Sequence, residues 1–295
     1  MELIHNNYMR GSGNGPTWNV SIDPPGRSVK SYYEEACIAA EMVWSKKQGR
    51  IYVLYSGGMD SEYVINVFLS LGMNVTPVVM NLEPFYNRHD VHYALKFCKS
   101  RNLSYYTINL DFDTFVKSGK MLEILTRNKA GRYEMAATMW LATQLDGTVI
   151  TGNDPPLLLN RKGELAGVFL EELEYIHSQF NCWQNDNVYG TPFFLSYTPE
   201  MMLSILKEET FVKFSKGDHD HKTTDAVKIG VFNNQNKFTM EPRNKYTGYE
   251  QLKHKPIFNH PDIQFSLKEH TKWCGATYFD YSTILNRLTS QVSSV

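Results

Sequence analysis

Ile51-Tyr-Val-Leu-Tyr-Ser-Gly-Gly-Met-Asp-Ser61 is the stretch that decides the fold. The β-prone apolar and aromatic run from Ile51 to Tyr55 predicts a buried strand. Gly57 and Gly58 predict a tight turn, and Asp60 onward predicts the first turn of a helix. Strand, glycine turn and helix start gather backbone N–H groups at one point. With the helix dipole behind them, these groups form an anion site that needs no basic side chain. Glycines at 57 and 58 can take positive φ and let a phosphate approach the main chain. Ser56 and Ser61 add hydroxyl donors, and Ser61 or Asp60 can help cap the helix. The plain alternative is a βα turn without a ligand, because Gly-Gly before a helix is common.

Outward from this stretch the pattern alternates. Residues 1–27, rich in Gly, Asn and Pro, read as an irregular lead-in. Ser31-x-x-Glu34 is a capping-box pattern that opens a helix through about Lys47. Strand 51–55 and helix 60–71 follow, with Gly72 as the stop. Val75–Met80 predicts a second strand, weakened by Pro77, which lacks a ladder donor. A helix near 88–101 and a strand over Ser104–Ile108 complete βαβαβ, the alternation of a parallel sheet with helices on both faces. Two helices are expected across 113–145, broken near Asn128–Gly131, before a short strand at Thr148–Thr151.

Composition agrees with a soluble enzyme. The 295 residues are 42% hydrophobic, enough for a large core, and the net charge of −1 gives no global attraction to nucleic acid or anionic membranes. No apolar run is long enough to span a bilayer, and Met-Glu-Leu-Ile-His-Asn-Asn lacks the pattern of a signal peptide. The four cysteines, Cys37, Cys98, Cys182 and Cys274, form no C-x-x-C, which predicts reduced thiols in a cytoplasm.

Ser56-Gly57-Gly58-Met59-Asp60-Ser61 resembles the SGGxDS signature of the PP-loop ATP pyrophosphatases, which include NAD, GMP, asparagine and argininosuccinate synthetases and tRNA-modifying enzymes. It is not a Walker A loop, whose G-x-x-x-x-G-K-[ST] spacing is absent. The resemblance implies an adenine nucleotide alpha-hydrolase-like α/β fold in which the loop holds the β- and γ-phosphates of ATP as the leaving group. Ser56, Gly57, Gly58, Asp60 and Ser61 would bind pyrophosphate. By fold analogy alone, the adenine would lie against the main chain around Leu54, Tyr55 and Met80, with Glu83 near the ribose.

Thr151-Gly152-Asn153-Asp154-Pro155-Pro156 is the second constellation. In a parallel sheet, loops at the C-terminal ends of strands line the ligand crevice, so this loop and 56–61 are expected to share one site. There the Asp154 carboxylate would hold Mg²⁺ on the phosphates, together with Asp60, and the Asn153 amide would meet a phosphate oxygen. Composition alone favours a simple turn, whereas Gly152-Asn153-Asp154 is similar to the family's later-strand element. Asn128–Ala142 is similar to a helix start in N-type members such as NAD synthetase. Arg132 matches their retained arginine; a second arginine is missing unless Lys129 replaces it. The resemblance makes Arg132 a partner for a phosphate or acyl-adenylate and Lys129 a neutraliser of charge on the α-phosphate. The bland reading makes both solvated charges.

The region beyond 160 carries weaker signals. Thr198 and Pro199 predict a cap and first turn of an apolar helix, which core packing explains. Thr239–Glu250 is basic with interleaved tyrosines, a form that holds anionic substrates but is more often a surface loop. Asp218-His-Asp-His221 reads as a solvated loop rather than a metal site. Lys272-Trp-Cys-Gly275 loosely resembles a segment of phosphoadenylylsulfate reductases without its Glu and His, so a structural Cys274 is the default. The zinc cysteines of the deazaguanine nitrile-forming members are missing, as is a glutaminase signature.

The expectation is therefore an N-terminal extension and helix (1–47), a PP-loop nucleotide-binding domain (48–160) and a mixed, substrate-side region (161–295). The expected activity is ATP- and Mg²⁺-dependent adenylation of a carboxylate or amide-like carbonyl, followed by transfer of an amine. The acceptor would be a small molecule or tRNA, with an amine-donor partner and no membrane. The alternatives are a sulfurtransferase or reductase of the same superfamily, or a non-catalytic nucleotide-binding module.

Overall fold

The computed structural model describes residues 9–12, 19–22, 25–153, 157–161, 164–169, 173–215, 225–233, 237–252, 254–271 and 278–279. At its centre is a five-stranded, wholly parallel sheet. Its strands are β1 (Ile51–Leu54), β2 (Thr76–Glu83), β3 (Tyr106–Asp111), β4 (Thr148–Thr151) and β5 (Tyr189–Thr191), in the spatial order β3-β2-β1-β4-β5. Pro77 sits inside β2 without harm to the outer ladder, because pairing with β3 opens one residue later at Val78↔Tyr106. The sheet crosses the expected boundary at 160, since β5 belongs to the region read as substrate-side.

Helices cover both faces. They include α1 (Tyr32–Lys46), α2 (Met59–Ser70), α3 (Arg88–Ser100), α4 (Phe112–Lys117), α5 (Lys120–Asn128), α6 (Tyr133–Ala142), α7 (Leu173–Asn185) and α8 (Pro199–Lys207). Three helices therefore occupy the span read as two. The Ser31–Glu34 capping box is present, and Thr198 Oγ1 accepts the Met201 N–H at 3.0 Å to cap α8. Within the lead-in, Met9–Ser12 pairs antiparallel to Asn19–Ile22. A small antiparallel sheet joins Leu157–Arg161, Glu164–Phe169 and Tyr278–Phe279.

The period of two along β1 divides the core. Ile51, Val53 and Tyr55 enter one apolar cluster with α1, α2 and α8, whereas Tyr52 and Leu54 enter the other with α5 and α6. α1 buries a single stripe of Tyr32, Ala36, Ala39, Ala40 and Val43. α2 is buried from Ser61 through Phe68, because it lies between the sheet and the outer helices. A helix enclosed on every side has a fixed N-terminus, and that end faces the site described next.

Candidate functional site

The chain winds outward from β1 to β3, then returns to place β4 on the other side of β1. Ligands of open α/β sheets bind at such a reversal, outside the C-terminal ends of the two strands. Here the turn after β1 meets the loop after β4. A Cβ on Gly152 would lie 2.8 Å from Ser61 Cα and 2.9 Å from Ser61 N, so only glycine lets the two loops touch. Gly57 has φ +82°, and its own Cβ would fall 2.2 Å from the Asp90 carbonyl oxygen. The turn is thus wedged between β4 and the start of α3.

Gly58 is the N-cap of α2, and no side chain caps it; the first helical bond runs from Glu62 N–H to Gly58 O at 3.2 Å. The expected cap by Ser61 or Asp60 is absent. Ser61 Oγ instead donates to Gly58 O at 3.3 Å, and Ser56 Oγ accepts the Gly58 N–H at 3.3 Å. The positive end of the helix dipole is therefore left for whatever enters the crevice.

Leu54, Tyr55, Ser56, Gly58, Asp60, Ser61, Met80, Gly152 and Asn153 line one cavity of about 340 Å³, and Gly57 lines a smaller one beside it. Two of these lining residues have polar groups already engaged within the protein. Both donors of the Asn153 amide are committed, to Gln179 Oε1 and to Pro192 O, each at 2.7 Å, so this side chain ties the loop to the end of β5. The Met80 carbonyl already accepts from Asn87 Nδ2 at 2.8 Å, while Asn87 Oδ1 accepts the Leu82 N–H at 2.8 Å. Arg132 and Lys129 are not among the cavity's lining residues. Arg132 is the exposed N-cap of α6. Lys129 ends α5 in the left-handed conformation, its carbonyl accepting from Ser178 Oγ at 3.0 Å. Glu83 is also outside the lining set, at the end of β2 opposite Asp111. Asp154, Cys274 and Asp218–His221 lie outside the described residues.

Sequence reading missed the residues that close the site from the far end of the chain. Lys228 Nζ is 3.4 Å from Asp60 Oδ2, and the Lys228 side chain is only 8% exposed. Arg243 donates through Nη1 to Gly57 O at 2.8 Å and through Nη2 to Glu62 Oε2. Lys245 lines both cavities, and Asp90 anchors the same segment by accepting the Tyr246 N–H at 2.9 Å. Burial raises the Asp90 carboxyl above the ordinary range. The only sequence signal was the basic, tyrosine-rich composition of 239–250, which does not say where that loop docks.

Glu134, Thr138 and Leu141 share the cavity face of α6 at i, i+4 and i+7. Glu134 Oε2 is buried and bonds to nothing among the described residues. Desolvation raises its pKa above the ordinary 4.5. A carboxyl with a raised folded-state pKa contributes stability below its unfolded pKa and loses it as pH rises through the folded one. Glu134→Gln should therefore match the wild type near pH 4 and become the more stable protein as pH rises. Urea titrations at successive pH values check this, and a constant difference would contradict it.

Among the described residues no cluster of three His, Cys, Asp or Glu is placed to hold a metal, and no helix is long and apolar enough to cross a membrane. Asp60, Asp90 and Glu134 are the carboxylates among the cavity's lining residues, and Asp60, in the first turn of α2, stands beside the glycine turn. A carboxylate in that place suits Mg²⁺, which takes one or two carboxylates and completes its shell with substrate phosphates and water. The described cysteines are poor nucleophiles: burial raises Cys37, lifts Cys98 to about 11 and raises Cys182 further.

No protein-family profile and no curated protein matches the chain. Among solved structures, it is similar to an NH3-dependent NAD synthetase from Campylobacter jejuni, with 17% identity, a TM-score of 0.34, and 82% of this chain and 92% of that one covered. An NMN synthetase from Francisella tularensis has 15% identity and a TM-score of 0.31 over 84% of this chain and 97% of its own. A predicted tRNA methyltransferase subunit from Methanocaldococcus jannaschii has 18% identity and a TM-score of 0.31 over 49% of this chain and 67% of that one.

Proposed function

We propose that this chain is an ATP-dependent adenylating enzyme of the PP-loop type. One observation carries the reading: the uncapped N-terminus of α2, behind a glycine turn, faces a cavity at the topological switch point. That geometry offers main-chain donors and a positive dipole to phosphates, while Leu54, Val78 and Leu141 supply an apolar shelf for a base.

In this reading Ser56, Gly57, Gly58 and Ser61 hold the β- and γ-phosphates, and Lys228 and Lys245 add charge from the C-terminal region. An acceptor carbonyl or carboxylate oxygen attacks the α-phosphorus, and the bond to the bridging oxygen breaks to release pyrophosphate. An amine then attacks the activated carbon, and AMP leaves with the oxygen that was adenylated. Positioning and electrostatics supply the catalysis, so no side-chain nucleophile is required. Arg132, two residues before the cavity-lining Glu134, is the candidate for the transition-state charge. Mg²⁺, held by Asp60 and by Asp154 if that residue faces the same crevice, would neutralise phosphate charge. The raised pKa values of the described cysteines disfavour those thiols as sulfur carriers.

The test is product analysis after incubation with ATP and Mg²⁺ alongside small carboxylates, ammonia and bulk tRNA. AMP and pyrophosphate should appear only with a productive pool and should fall at least a hundredfold in Asp60→Ala. ADP and phosphate as products would overturn the mechanism. ATP binding without turnover in every pool would favour a non-catalytic nucleotide-binding module.

A further inference from the structure

The end of β2 is where fold analogy alone puts the edge of a nucleobase, and this chain occupies it with a side chain of its own. Asn87 lines the cavity, donates through Nδ2 to Met80 O and accepts the Leu82 N–H at Oδ1, each at 2.8 Å. One strand over, the Val78 carbonyl accepts the Tyr55 N–H at 2.8 Å. An amino group on a base entering here finds the Met80 carbonyl already holding a donor. The base needs an acceptor from another wall.

α6 supplies that wall. Its Leu141 joins Leu54, Val78 and Leu82 in one apolar cluster, and all four line the cavity. Two polar side chains stand on the same helix face. Thr138 Oγ1 donates to the Glu134 carbonyl at 3.2 Å, so its proton is committed. Glu134 Oε2 is buried and has no hydrogen-bond partner among the described residues. The other carboxylate oxygen faces the residue's own backbone N–H. The wall therefore presents one acceptor beside an apolar shelf. A buried acceptor is costly to leave without a donor, and a ligand that brings an N–H recovers that cost.

We propose that Glu134 is the specificity residue of the cavity: its Oε2 accepts the exocyclic amine of the base and selects 6-aminopurine nucleotides. The side chain takes over a task that the engaged Met80 carbonyl does not perform. Adenine presents an amine at C6 beside a bare ring nitrogen, which a single acceptor matches. Guanine presents two adjacent donors and asks for two acceptors. A 6-keto purine sets its carbonyl oxygen against the carboxylate oxygen, with no proton between them. The assignment rests on the reading of the cavity as a nucleotide site; it does not require that adenylation follow.

Calorimetric titration of the full chain at pH 8 with ATP, ITP and purine riboside triphosphate, which carries hydrogen at C6, tests the assignment. ATP should bind at least tenfold tighter than purine riboside triphosphate, the loss of one hydrogen bond to a charged group, and ITP should bind weakest. Glu134→Gln keeps an acceptor for the amine and gains a donor for a 6-keto oxygen. Measured against purine riboside triphosphate, which has no group there, ITP should gain at least about fivefold in this variant and ATP should lose about threefold. A role in packing or in overall charge would instead move all three affinities together. That parallel change, or equal wild-type affinity for ATP and purine riboside triphosphate, would overturn the proposal. Pyrophosphate released equally well from ATP and ITP would also sink it and leave the adenylation reading standing. Selective ATP binding without AMP and pyrophosphate from any acceptor pool would remove that reading and uphold Glu134. No binding by any of the three would overturn both.

Discussion

Gly57→Ala is expected to lower ATP affinity at least a hundredfold and to destabilise the fold. The residue sits at φ +82°, where an L side chain costs about 1–2 kcal/mol before any contact is considered. The added methyl would also fall 2.2 Å from the Asp90 carbonyl oxygen, which is backbone and has no rotamer to yield. The turn or the start of α3 must move, and either shift displaces the turn that leads into the N-terminus of α2. Two control glycines separate the causes. Gly58 has an ordinary φ of −80°, and its nearest obstacle is Ser56 Oγ at 3.2 Å, so Gly58→Ala should change affinity less than tenfold. Gly72 has φ +70° with nothing within 4 Å, so Gly72→Ala should lose about 1 kcal/mol of stability and no affinity. Calorimetric titration with ATP and urea unfolding of the three variants distinguish strain from collision. Wild-type affinity in a folded Gly57→Ala protein would remove the turn from the binding site.

This contrast also shows why the loop was readable from the sequence. Ile51–Ser61 encodes strand, turn and helix start within eleven consecutive residues, and the geometry of an anion cradle follows from that local order. Gly152 packs against Ser61, the contact expected where strand ends converge. The partners of the Asn153 amide, Gln179 and Pro192, lie 26 and 39 residues on, beyond the reach of any local pattern. The same limit governs the cations. Lys228 meets Asp60 across 168 residues, and Arg243 meets Gly57 across 186. Pattern and propensity report what a segment does next to its neighbours; they carry no information about which distant loop will close over it. Glu134 was hidden for a different reason. A carboxylate in the first turn of a helix reads as ordinary dipole compensation, and only the packed structure reveals a buried oxygen without a bond.

Arg243→Met is expected to destabilise the protein by about 3–5 kcal/mol, the range for breaking one side of a buried pair. The side chains of Arg243 and Glu62 are 14% and 5% exposed. With the guanidinium gone, Glu62 retains the Tyr55 hydroxyl at 2.7 Å as a donor but no compensating charge. The cation is also the strap that ties the C-terminal segment to the turn, through the bond from Nη1 to Gly57 O at 2.8 Å. Stability and ligand affinity should therefore fall together, although they answer to different atoms. Adding Glu62→Gln removes the stranded charge and should restore part of the stability, giving a coupling of about 1–3 kcal/mol in the double-mutant cycle. It cannot restore the bond to Gly57, so ATP affinity in the double variant should stay low. Recovery of affinity along with stability would mean that Arg243 acts only on the fold. Recovery of stability alone would identify the C-terminal segment as a working wall of the phosphate site.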